Sequence, residues 1–256
     1  MNRFLPKAYL SLVYLFLYLP IIIMIIYAFN NTNYPSSHWY GGTLHWFRAL
    51  KQDSQLITNT LHSLTVASLA SSIAVFFGAI ISFALLCYRF AGRKVLKHTL
   101  LIYIVLPDIL IATALFTLFH LFHFPTGFMT LLIGHILLCL PFVVMMLNSR
   151  LHDLDPYLFE AAKDLGASDW IVFIKVLLPL AMPAILAGWL LSFTLSLDDV
   201  IISFFLTGPS YQVLSLYIYS MVKVGVSPEI NAICAVLFGF SLFLVASATA
   251  LMRRPS

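Results

Sequence analysis

Six long apolar runs take up most of this 256-residue chain, at 8–29, 61–88, 99–122, 128–147, 177–206 and 230–251. A bilayer core takes about 20 apolar residues in helical form. Inside lipid, every backbone N–H and C=O must find its partner within the protein, which leaves helices or closed barrels. Runs of this length select helices. Charged residues make up 9% of the chain, against roughly 25% in a soluble domain. The runs leave no room for a separate soluble domain. The expectation is an all-α membrane protein with six transmembrane helices in a single domain over 1–256.

The first run is too long for a signal peptide, and no small-residue cleavage pattern follows it, so it is expected to be retained. Lysine and arginine set the orientation. Arg3 and Lys7, the Arg89–Lys97 loop, Arg150 with Lys163 and Lys175, and Arg253 with Arg254 fall on one side of a six-span chain. Only Arg48, Lys51 and Lys223 fall on the other. Both termini and the loop at 155–176 are therefore expected to be cytoplasmic. The basic residues form no continuous stripe, which argues against nucleic acid despite a pI near 9.0. Cys87, Cys139 and Cys234 are widely spaced within apolar runs and read as packing residues.

The loop at 155–176 is the charge-rich stretch of the last third. Asp155-Pro156 reads as a helix start. Leu154, Leu158, Ala161, Ala162 and Leu165 recur at helical spacing as an apolar face, with Glu160, Lys163 and Asp164 opposite. Gly166 ends the helix, Ser168 caps a second one running toward Lys175, and Pro179 and Pro183 bend the chain as the fifth span begins. The product is a low helix–glycine–helix knob. It reads either as a docking surface or as a membrane-surface helix pair that connects two spans.

Glu160-Ala161-Ala162, Gly166 and Leu178-Pro179, with Val176 where isoleucine is usual, resemble the EAA signature of ABC importer permeases. The resemblance implies a type I ABC importer permease (MetI-like) fold and makes the knob a coupling helix for a cytoplasmic ATPase. Further stretches, EAAKDLGAS at 160–168, AGWLLSFTL at 187–195, Asp198-Asp199, TGPSY at 207–211 and IYSMVKVGVSPEIN at 218–231, resemble the second permease of spermidine/putrescine importers. That resemblance implies four kinds of partner. They are a second homologous permease, two copies of the ATPase subunit, an extracytoplasmic polyamine-binding protein docking near 207–229, and the bilayer. Transport would be by alternating access, with the chain itself non-catalytic and no cofactor required.

Asp108, Asp198 and Asp199 lie within apolar runs. A mid-bilayer carboxylate costs on the order of 2.5–3.5 kcal/mol on insertion scales, and such residues face a bundle interior or a watery path. With few basic residues in the spans, a cationic cargo is a candidate partner. Asp108 follows Leu106-Pro107, where a helix break is expected. Asp198 and Asp199 are about 100° apart on a helix and cannot face the same way. Ser192, Ser196, Asp199 and Ser203 form one polar stripe, and Asp198 lies beside it. Which acid lines the path stays open, and each of the three can instead be hydrogen-bonded between helices. Tyr88, Trp189 and Phe193 are candidate aromatic walls through cation–π attraction, although packing or interface anchoring is the commoner role of such residues. Trp39, Tyr40 and Trp46 of the first outer loop join a docking surface or, in the favoured reading, anchor at headgroup level.

No G-x-x-x-x-G-K-[ST] occurs, so ATP is not bound through a P-loop in this chain. His120 and His123 lack neighbouring acidic or thiol ligands, which argues against a metal. Serines in the spans have no adjacent histidine base. Two other functions remain: the same fold importing another small cation, and a proton-coupled secondary carrier using the buried acids as a relay.

Overall fold

Helix is the regular structure of this chain, as the need to satisfy backbone polar groups in lipid requires. The computed structural model describes residues 4–32, 38–155, 157–224 and 228–252. In order, the helices are α1 (Phe4–Tyr27), α2 (His45–Leu50), α3 (Ser54–Cys87), α4 (Arg93–Val105), α5 (Asp108–Leu121), α6 (Phe128–His152) and α7 (Tyr157–Asp164). They continue as α8 (Asp169–Ile171), a π-helical stretch (Val172–Leu177), α9 (Leu178–Asp198), α10 (Ile201–Leu206), α11 (Leu214–Val224) and α12 (Pro228–Met252).

Among the described residues, four helical stretches are long and apolar enough to cross a membrane: Tyr9–Tyr27, Ser54–Cys87, Phe128–His152 and Asp169–Asp198. The expected third span is instead two helices, α4 and α5, bent by 112° at Leu106-Pro107. Proline has no N–H to give α5 and disfavours helical backbone at Leu106, which takes an extended ψ of 139°. The expected fifth span also breaks, because Asp199 is extended with ψ 126° and α10 starts afresh two residues later. The sixth corresponds to α12, which runs 25 residues.

Around Pro179 and Pro183 the helix continues without a break, in one helical run from Asp169 to Asp198. The widened π stretch Val172–Leu177 immediately precedes Pro179. Such a widened turn accommodates a residue that cannot donate and whose ring crowds the carbonyl four residues back.

The chain packs as two units, Met1–Thr58 with Tyr217–Ser256, and Asn59–Leu216. In the first, α12 packs against α1 and α2, and Ala28, Trp46 and Ala232 share a small core. Trp46 is thus neither a docking residue nor a headgroup anchor. Its Nε1 donates to the Asn30 carbonyl at 2.9 Å. The Asn30 side chain in turn donates to the His38 carbonyl at 2.7 Å and accepts from the Tyr40 N–H at 2.8 Å. Trp39 and Tyr40 are exposed.

In the second unit α6 packs along α9, with Cys139, Val143, Leu147, Ala181 and Ala184 buried in one core. Small residues permit that approach in a membrane bundle. A Cβ on Gly78 of α3 would lie 2.5 Å from Val143 Cγ1. The short α10 sits equally close on α6, where a Cβ on Gly134 would come 2.4 Å from Leu206 Cδ1.

Candidate functional site

Where α9 stops and α10 begins, the backbone exposes N–H groups that no preceding turn can satisfy. Asp199 satisfies them. Its Oδ1 accepts from the Ile202 N–H at 3.2 Å and its Oδ2 from the Ser203 N–H at 2.8 Å. Its carbonyl accepts from Ser215 Oγ at 2.6 Å. The carboxylate is only 6% exposed and lies 3.5 Å from His135 Nε2 on α6. His135 also meets Ser196 Oγ at 2.6 Å through Nδ1 and Ser203 Oγ at 3.2 Å through Nε2. The expected polar stripe is present, since Ser192, Ser196 and Ser203 are all buried. At Ser196, Asp199 and Ser203 it converges on an imidazole that the sequence reading did not single out.

Asp198 is placed differently. It closes α9, its side chain is exposed, and it makes no hydrogen bond or ion pair among the described residues. Asp108 opens α5 directly after Pro107 and is likewise exposed. There the positive end of the helix dipole favours a carboxylate. The starts of α5 and α10 adjoin. The two helices pack together, Ala112 and Ile202 share a core, Phe116 meets Phe205 with ring centroids 6.2 Å apart, and Asp108 lies within Coulombic reach of Asp199. Two helix breaks are therefore set side by side, each carrying an outward carboxylate.

The aromatic candidates lie away from this acidic end. Trp189 sits about 13 Å before Asp198 along α9, stacks on Phe193 at 5.1 Å and donates from Nε1 to Ser72 Oγ at 3.1 Å. Tyr88 donates its hydroxyl to Asp169. Asp169 and Asp198 end one helical run, roughly 40 Å apart, so Tyr88 belongs to the far end, with the knob. An apolar cavity of about 210 Å³ between α4 and α6, lined by residues such as Leu101, Ile104, Pro141 and Val144, holds none of the acids.

At that far end the helix–glycine–helix knob is present. Asp155 Oδ1 accepts from the Tyr157 N–H at 3.0 Å, so the cap is made; Pro156 lies outside the described residues. Gly166 takes φ 83°, the left-handed turn glycine favours, and the Ala167 N–H closes back on the Ala162 carbonyl at 3.1 Å. Ser168 Oγ accepts from the Ile171 N–H at 3.4 Å. Lys163 Nζ pairs with Asp169 Oδ1 at 2.7 Å across the glycine, a bond that holds its ammonium above the ordinary lysine range.

The apolar face differs from expectation. Phe159, buried, and Ala162, half-buried, face the core. Leu158 is 41% exposed and Leu165 90%, with Tyr157 and Trp170 also outward. An eight-residue helix turns only one narrow strip toward its own bundle, and Phe159 occupies it. Glu160, Ala161, Gly166 and Pro179 are exposed, with Leu178 half-buried. The knob therefore offers exposed apolar side chains beside the exposed carboxylates of Glu160 and Asp164.

Residues 74–254 match the family model described as the binding-protein-dependent transport system inner membrane component. The chain is 45% identical over 252 residues to the spermidine/putrescine transport system permease protein PotC of Escherichia coli (strain K12), covering 98% of this chain and 95% of that one. It is 36% identical over 237 residues to the putrescine transport system permease protein PotI of the same strain, covering 90% and 84%. Among solved structures, a bacterial ABC transporter involved in the import of the acidic polysaccharide alginate superposes with a TM-score of 0.76 at 18% identity, covering 99% and 96% of the two chains.

Proposed function

Because this chain belongs to the family of binding-protein-dependent transport system inner membrane components, we propose that it is the polyamine-conducting permease of an ATP-driven importer. Its cargo is spermidine or putrescine, its motion is alternating access, and it works with a second permease, a pair of ATPase subunits and an extracytoplasmic binding protein. Two permeases named for these polyamines are similar to it over nearly their whole length. The observation that carries the reading is the pair of outward carboxylates, Asp108 and Asp198, at adjoining helix breaks. A polyamine brings two or more ammonium groups on an apolar stem. Carboxylates with no hydrogen-bond or ion-pair partner among the described residues are available to it, and leaving them unpaired in a membrane is otherwise costly.

The knob at 155–176 is the surface that the ATPase grips. Outward Leu158, Leu165 and Trp170 supply the apolar contact and Glu160 the charge for a basic partner group. ATP drives the path only if those contacts differ between the two states of the ATPase pair. Glu160→Ala is expected to lower cargo-stimulated ATP hydrolysis about tenfold, the scale of a lost charge-assisted contact, while the protein still inserts. Unchanged stimulated hydrolysis in reconstituted membranes would remove the docking role.

The cargo is tested by uptake of labelled spermidine and putrescine into proteoliposomes holding the full assembly. Uptake should require ATP, and Asp198→Asn should raise the apparent KM about tenfold or more, as loss of one ion pair from a partly desolvated site does. Uptake by this permease without any ATPase, driven by a pH gradient, would support the secondary-carrier alternative and overturn this one. A normal KM in Asp198→Asn would end the acidic-path assignment.

A further inference from the structure

Around the α9–α10 break, every polar group that reaches His135 comes from a different side of the break. Ser196 lies in the last turn of α9, Asp199 forms the break, and Ser203 is in α10. His135 itself is on α6 and 1% exposed. A carboxylate only accepts, so the nearby Asp199 favours the tautomer with the proton on Nε2, shared with Ser203 Oγ, and Nδ1 then accepts from the Ser196 hydroxyl. The second helix end is tied to α6 as well. The Leu206 carbonyl accepts from the Gly127 N–H at 3.2 Å and from Thr130 Oγ1 at 2.9 Å. Histidine is an expensive way to fill a gap between apolar helices unless both ring nitrogens are used. Here both are used, and both on the break.

We infer that His135 is a positioning residue for cargo recognition, which holds the α9–α10 break at one angle and so fixes where Asp198 presents its carboxylate. It touches no cargo. Ser196 is two residues before Asp198 and Asp199 is the next residue, so a rotation at either one re-aims the exposed acid. The inference rests on the proposed role of Asp198. It adds that α6, with no outward acid of its own, sets the affinity.

The test is uptake kinetics of the assembled importer with spermidine as the probe. His135→Ala should raise the apparent KM about tenfold with the maximal rate nearly kept. His135→Gln, which can still donate near the Nε2 position, should recover most of the affinity. The decisive variant is His135→Ala combined with Asp198→Asn. If His135 acts through Asp198, the double variant is no worse than Asp198→Asn alone, because coupled residues are non-additive. A general packing role predicts that the two losses multiply, and that result overturns the inference. So does an unchanged KM in His135→Ala. Should His135→Ala fail to assemble, Ser203→Ala removes one imidazole contact at small structural cost. A KM rise of about threefold is then expected, and no rise counts against the proposal. If Asp198→Asn itself transports normally, the cargo assignment fails first; if only the His135 variants are normal, this inference alone fails.

Discussion

Asp199→Ala is expected to remove most of the stability of the α9–α10 region and nearly all uptake with it. The carboxylate caps two N–H groups, those of Ile202 and Ser203, whose residues are fully buried. Each buried group left without a partner costs about 1–3 kcal/mol. The imidazole of His135 loses one of the two partners of its Nε2 at the same stroke, Ser203 Oγ remaining. Taken together the loss is about 3–5 kcal/mol, comparable to breaking a buried pair by deleting one member. A six-residue helix such as α10 has no propagation energy to resist it. Asp199→Asn keeps one acceptor oxygen and should fall between. Thermal unfolding of the purified assembly, read beside uptake, checks this. If Asp199→Ala melts like the parent protein yet fails to transport, Asp199 meets cargo directly and its capping role is secondary. Asp198→Asn is expected to show the opposite pattern, with altered affinity and an unchanged melting temperature, because Asp198 has no partner to lose among the described residues.

This contrast between neighbouring acids shows where sequence reasoning reaches its limit. Hydropathy located the long helices, and Leu106-Pro107 announced the first break. Asp155, Gly166 and Ser168 marked the knob's boundaries, because caps and left-handed turns are local chemistry. The period of the helix also put Ser196, Asp199 and Ser203 on one stripe. What periodicity cannot reveal is what a stripe faces. His135 stands 61 residues before Ser196, in a run that reads as apolar filler, and a single charge-free histidine there gives little signal. The same limit applies at the knob. An apolar face looks alike whether it meets its own bundle or another protein, so the period alone does not tell that Phe159 turns inward while Leu158 and Leu165 stay outside. Tyr88 illustrates a third case. Its aromatic ring suits a cation, yet the fold puts its hydroxyl on Asp169, at the knob end of the helical run. The likeness to the alginate importer, at 18% identity, is one of fold alone, and a shared scaffold leaves function to the residues grafted on it.

Gly208→Ala is expected to be far more damaging than Gly134→Ala, although both glycines lie where α10 meets α6. A Cβ at Gly208 would come 2.4 Å from the Thr126 carbonyl oxygen, 3.0 Å from its carbon and 3.1 Å from Gly127 Cα. All three are backbone atoms, which cannot rotate aside. The turn at Thr126-Gly127 would have to move away, and the Gly127 N–H bond to the Leu206 carbonyl, 3.2 Å long, would go with it. So would the alignment of Tyr211, which bridges to Gly208, stacks on His62 at 3.9 Å and packs on Phe128 at 5.2 Å. At Gly134 the comparable clash is with Leu206 Cδ1 at 2.4 Å and Ile202 Cγ2 at 2.9 Å. Both are side-chain atoms: Leu206 Cδ1 is a terminal methyl that can change rotamer, while Ile202 Cγ2, on a β-branched residue, has less freedom. Overpacking of a core costs about 1–3 kcal/mol; Gly134→Ala should sit at the low end of that range and Gly208→Ala at or above its top. The measurement is the melting temperature of the two variant assemblies, with uptake expected to fall at least tenfold in Gly208→Ala as the α10 staple loosens. Equal destabilisation, or a larger loss in Gly134→Ala, would mean that α10 is held by side-chain packing rather than by its backbone ties to the start of α6, and the break carrying Asp198 would then be free to turn as a unit with α10.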